Sequence, residues 1–127
     1  MYTVLEIKPC EIHINGKILL PRQALIKRQI LSFLAKQYFE DCLKNAEFHK
    51  AFTPKDIAHN LNRTEWDAVY QINRHIRSLE ARLEDATHQV TDTVIEIIPQ
   101  DNQKTYRLNP KKVQIIISPF QEKKNPL

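Results

Sequence analysis

The hydrophobic pattern changes its period twice along this chain, and that succession constrains the fold more than any single motif. Through Leu20, "TVLEI" and "EIHINGKILL" read as short strands, with a strong two-residue hairpin signal at Asn15-Gly16. Ile12, Ile14 and Ile18 are expected to face inward, and Glu11, His13 and Lys17 outward. From Pro21 the apolar spacing becomes helical, at Leu25, Ile26, Ile30, Leu34 and Tyr38, with Ala24, Leu31 and Phe33 beside them. Pro21 suits a first helical turn, and no helix breaker follows for more than twenty residues.

A short helix is expected next, in "FTPKDIAHNLN". Thr53 is its N-cap candidate, Pro54 holds the first helical position, and Asp56 stands where a capping box takes an acid. After a turn at "NRT", Thr64 can cap a third helix over roughly 64–85, with Glu65 and Asp67 near its positive end. That helix carries an apolar stripe at Val69, Ile72, Ile76, Leu79 and Leu83, and Trp66 is expected to pack at its start. Past it the strand pattern returns. "TDTVIEIIPQ" and "KTYRLNP" form a hairpin with a longish tip, "PQDNQK", and "KKVQIIISPF" reads as one more strand. The order implies one α+β domain over 1–118, with a flexible tail at 119–127. A short helix, a tight turn, a longer helix and then a hairpin is the plan of a winged helix-turn-helix.

Composition narrows the chemistry. One glycine among 127 residues argues against phosphate loops built on glycine. A net charge of +4 permits a polyanionic partner. Cys10 and Cys42 lie far apart, which suits free thiols in a reducing compartment, and the cytoplasm is the expected location. No signal peptide or membrane-spanning run is expected. The five histidines, at 13, 49, 59, 75 and 88, lack metal-ligand spacing, and no nucleophile stands with a base and an orienting group. Neither an enzyme nor a cofactor is expected.

Three segments resemble the winged-helix effector domain of OmpR/PhoB-type response regulators. "EIHINGKILLPRQ" is similar to the family's N-terminal strands leading into its first helix. "INRHIRSLEARLED" is similar to its recognition-helix pattern, and "VIEIIPQDNQKTYRL" resembles its wing, which ends in Tyr-Arg-Leu. The likeness covers about residues 4 to 108, and the family's receiver domain has no counterpart, so phosphorylation control is not expected. The tip carries Pro99 and no glycine, and Glu80 stands where the family is often basic. The resemblance implies a winged helix-turn-helix with N-terminal antiparallel strands, three helices and a C-terminal β-hairpin wing, 94–108. It also implies a phosphate contact at His75.

Advancing 100° per residue from Ile72 puts Tyr70, Gln71, Arg74, Arg77 and Ser78 on the opposite face of the third helix, with Asn73 nearby. Arg can bond the paired acceptors of guanine, and Gln or Asn the edge of adenine, so these six are the base-contacting candidates. Lys55, Arg63, His75, Lys104 and Arg107 are the phosphate-contacting candidates. A plainer reading stands beside this one. Residues 64–85 hold three Arg against five acids, and Arg77 and Arg82 can simply pair with Glu80, Glu84 or Asp85. The expected function is sequence-specific binding of double-stranded DNA by a transcriptional regulator. The alternative is a protein-interaction or dimerisation module, with Val113 to Ile117 as an edge that pairs a homodimer.

Overall fold

A computed structural model describes residues 3–44, 47–88 and 94–118, so the expected tail at 119–127 lies outside the described residues. Nine elements follow one another: β1 (Thr3–Ile7), β2 (Ile12–Ile14), β3 (Lys17–Leu20), α1 (Leu25–Leu43), α2 (Pro54–Asn60), α3 (Ala68–Thr87), β4 (Ile95–Gln100), β5 (Gln103–Leu108) and β6 (Val113–Ile117). They make a small α+β fold, with a four-stranded sheet in the order β3-β2-β1-β6 and a separate β4–β5 hairpin.

The β2–β3 turn works as its sequence demands. Asn15 and Gly16 both hold positive φ (49° and 85°), the geometry whose twist matches the flanking strands. The register then slips between Ile12 and His13, so that Leu20 faces Ile12 while Ile18 faces His13. Leu19 is the extra residue of this bulge. Ile18 therefore points outward, 57% exposed, contrary to the expected alternation, while Leu19 and Leu20 are both buried.

The last strand is the fourth of the larger sheet. β6 pairs in parallel with β1, from Thr3 opposite Val113 to Ile7 opposite Ile117. Val113 is fully buried, and the Tyr38 hydroxyl of α1 donates to its carbonyl at 2.9 Å.

α1 begins at Leu25 rather than at Pro21. Residues 21–24 form a turn, with the Ala24 N–H on the Pro21 carbonyl at 3.0 Å, and Leu25 is left exposed. Ile30, Leu31, Leu34 and Ala35 carry the buried side. α2 has the expected capping box: the Asp56 N–H donates to Thr53 Oγ1 (3.0 Å), and the Thr53 N–H to Asp56 Oδ2 (3.3 Å).

α3 starts at Ala68, four residues later than expected, and Thr64 does not cap it. The Ala68 N–H bonds the Glu65 carbonyl at 2.9 Å, closing a turn before the helix, and Asp67 stands at the N-cap without a capping side-chain bond. Trp66 sits in that turn, off the helical stripe, and is 97% exposed instead of packed. Ala68 is buried where Val69 was expected, followed by Ile72, Ile76, Leu79 and Leu83.

The β4–β5 hairpin is tighter than its polar tip suggested. Only Asp101 and Asn102 form the turn, both at positive φ (48° and 64°), and Pro99 lies in register opposite Lys104. Gln100 and Gln103 flank the two-residue turn as a hydrogen-bonded pair. Pro99 therefore falls at a non-hydrogen-bonded position, where its missing N–H costs no ladder bond. The hairpin is fastened to the body by Phe52 and Tyr106, which exchange backbone bonds of 2.9 and 2.8 Å.

Ile72 lies within the core, so Ile72→Ala should destabilise the fold by about 2–5 kcal/mol in urea unfolding, with an unchanged m-value. Thr53→Ala should cost about 1 kcal/mol, the worth of one helix cap.

Candidate nucleic-acid interface

With its apolar stripe buried, α3 can present only the opposite side to solvent. Tyr70, Arg74 and Arg77 are exposed there, one turn apart in succession. The Arg74 guanidinium lies over the Tyr70 ring at 5.9 Å, and its Nη1 reaches Gln71 Oε1 at 3.5 Å. Gln71 is half-buried and donates to Asp67 Oδ2 at 3.0 Å, so it is held beside the helix start. Asn73 and Ser78 are half-buried on the two flanks. Of the six base-contacting candidates, three therefore form the outermost surface and three line its margins.

One flank faces the hairpin. Arg77 and Glu80 both act on the buried Tyr106 hydroxyl of β5, whose pKa is raised chiefly by burial and further by Glu80, with Arg77 opposing. The other flank faces α1, and there cations gather. Lys27 Nζ of α1 lies 3.2 Å from His75 Nδ1 of α3. Burial holds the His75 imidazole below its usual pKa, helped by the charges of Lys27, Arg63 and Arg74. Burial likewise lowers Lys27, helped by Arg82 and Arg74. An ammonium has only protons to offer, so Nδ1 accepts from Lys27 and the imidazole keeps its proton on Nε2.

The remaining phosphate candidates are spread more widely. Arg63 lies in the turn after α2, half-buried and paired with Glu65 at 3.1 Å. Lys55, in the first turn of α2, and Lys104, beside the hairpin tip, are exposed. Arg107 is engaged within the fold instead. Its Nε donates to Glu96 Oε1 at 2.9 Å across the hairpin, and its Nη1 to the His49 carbonyl at 2.7 Å.

Residues that sequence reasoning passed over take part in this arrangement. Lys27 is one of several cations on α1. Yet it stands three, four and seven residues before Ile30, Leu31 and Leu34, so it occupies the position where their stripe would continue. A charge on an apolar stripe is the signal that marks it. Arg82 turns back toward β3 and donates to the Leu19 carbonyl at 3.4 Å. Beyond it, Glu84 and Asp85 line an open groove of about 550 Å³ with Ser78, Ala81 and Arg82. That acidic end opposes a polyanion, which confines any such ligand to the first half of α3.

The crowding has a measurable cost. Lys27→Met should raise the denaturation midpoint, because it removes a half-buried cation from among like charges. For His75 the folded pKa is depressed. Above about pH 6.5 folded and unfolded chains both keep it neutral. As pH falls through that value the unfolded chain takes the proton first, and stability is lost down to the lower folded value. His75→Gln should remove that part of the acid-side loss, read as a flatter unfolding midpoint against pH.

Comparison with protein-family models, with curated proteins and with solved structures gives no match to this chain.

Proposed function

We propose that this chain is a winged helix-turn-helix that binds double-stranded DNA in a sequence-specific way and acts as a transcriptional regulator of OmpR/PhoB-like type. The observation that carries this reading is the make-up of one surface. α3 turns Tyr70, Arg74 and Arg77 outward on a segment free of acids from Tyr70 to Ser78, with Lys27, Arg63 and His75 on its α1 flank. A helix of this width fits a major groove, where Arg bonds guanine and Tyr70 and Arg74 together offer a flat, polar-edged surface. In this reading the helix enters from Ala68. Lys55 and Lys104, from α2 and the β4–β5 wing, approach phosphates on either side.

Selection from random duplexes, followed by binding across a salt series, tests the proposal. Affinity should fall linearly with salt on logarithmic axes. Arg74→Ala and Arg77→Ala should each cost about 1–3 kcal/mol on the selected site and relax its sequence preference. Absence of salt-sensitive binding at any sequence, or an unaffected double variant, would end the reading.

A second reading is favoured by a different surface. The edge of β6 away from β1 has no strand beside it among the described residues, and Ile116 is 46% exposed. Pairing of two copies along this edge would give a homodimer, compatible with two DNA half-sites. Sedimentation should then show a dimer that Ile116→Lys dissociates; a monomer in both cases rejects it.

A further inference from the structure

The contact between Lys27 and His75 is costly to keep. It joins α1 to α3 across 48 residues of sequence, at 3.2 Å, and the bond holds an ammonium partly out of water. The charged groups around it come from three parts of the chain. α1 supplies Lys27, the turn after α2 supplies Arg63 with its partner Glu65, and α3 supplies Arg74 and Arg82. β3 adds only a backbone carbonyl, at Leu19, which receives Arg82. The acid in this set, Glu65, is bound to Arg63, so the cations Lys27, Arg63, Arg74 and Arg82 outnumber it.

We propose that Lys27 and His75, flanked by Arg63 and Arg74, form one seat for a single phosphate group of the DNA backbone, at which binding draws a proton onto His75. The seat rests on the DNA-binding reading and adds to it a contact from α1 and a dependence on pH. The phosphate oxygens accept from the Lys27 ammonium and, once His75 is protonated, from its Nδ1–H, the imidazole edge that faces Lys27. Before binding, the neighbouring cations disfavour imidazolium. The bound anion offsets them, and the Lys27 ammonium can turn its protons from Nδ1 to the phosphate. Nδ1 is then free to take a proton from solvent, so His75 becomes a cation with two donors. Proton uptake on binding means that affinity rises as pH falls, by at most about tenfold per pH unit for one proton.

The imidazole resonances of His75 report the test directly, in the full chain at low salt, titrated with inorganic pyrophosphate and with a mixed-sequence duplex of about 20 base pairs. Both probes should shift His75 and raise its titration midpoint. From about pH 8 to about pH 6, duplex affinity should rise for the wild type and stay nearly flat for His75→Gln. Lys27→Met should lower the salt slope by about one. If the duplex moves Tyr70 and Arg74 resonances but leaves His75 unmoved, the seat is wrong and DNA reading stands. If pyrophosphate moves His75 and the duplex binds nowhere, the seat takes free phosphate and both the DNA contact and the DNA reading fall. Equal pH dependence in wild type and His75→Gln, with both folded, also overturns the proposal.

Discussion

The burial of one side of α3 is the constraint on which everything else in this structure depends. Ala68, Ile72, Ile76, Leu79 and Leu83 join the same core as Ile30 and Leu34 of α1 and Ile57 of α2. An α-helix is rigid over a few turns, so settling five residues inward settles the direction of all the others. Tyr70, Arg74 and Arg77 have no alternative to solvent. Their order and spacing are as well defined as the core beneath them, which is what recognition by a fixed surface requires.

The charge balance of α3 changes meaning once neighbours are counted. Residues 64–85 carry more acids than bases, yet the acids fall outside the central surface. Glu65 is taken up by Arg63, Asp67 receives Gln71, Glu80 is half-buried on the flank beside Tyr106, and Glu84 and Asp85 stand at the far end. Meanwhile α1 brings Lys27 against His75 from the other side. Local composition therefore understates the basic character of the surface, because the surface is assembled from three parts of the chain. Such like-charge crowding is held at the expense of stability.

Much of the architecture was legible because its signals are local. Thr53, Pro54 and Asp56 specify a helix start through bonds within four residues, and the capping box forms as read. Asn15-Gly16 specifies a hairpin for the same kind of reason. With a single glycine, the chain makes its other left-handed positions, among the described residues, from Asn62, His88, Asp101 and Asn102. Asn and Asp tolerate that conformation better than most residues, since their short polar side chains bond locally. The tip at Asp101-Asn102 was missed because its polar neighbours, Gln100 and Gln103, read as loop but are paired as strand.

What the sequence determined by itself is everything that spacing and local hydrogen bonding can carry. That includes the α+β order, the stripe from Ile72 to Leu83 that faces α3 inward, the polar side that faces out, the α2 cap and the Asn15-Gly16 turn. Only the tertiary structure decided what distant residues do to one another. It put Val113–Ile117 beside β1, turned Ile18 outward through a bulge, left Trp66 in solvent, and bound Arg107 within the hairpin. It also brought Lys27 to His75. The physical reason is the same in each case. Periodicity and capping act over a few residues, whereas strand partners and charge neighbours are chosen by the packing of the whole core.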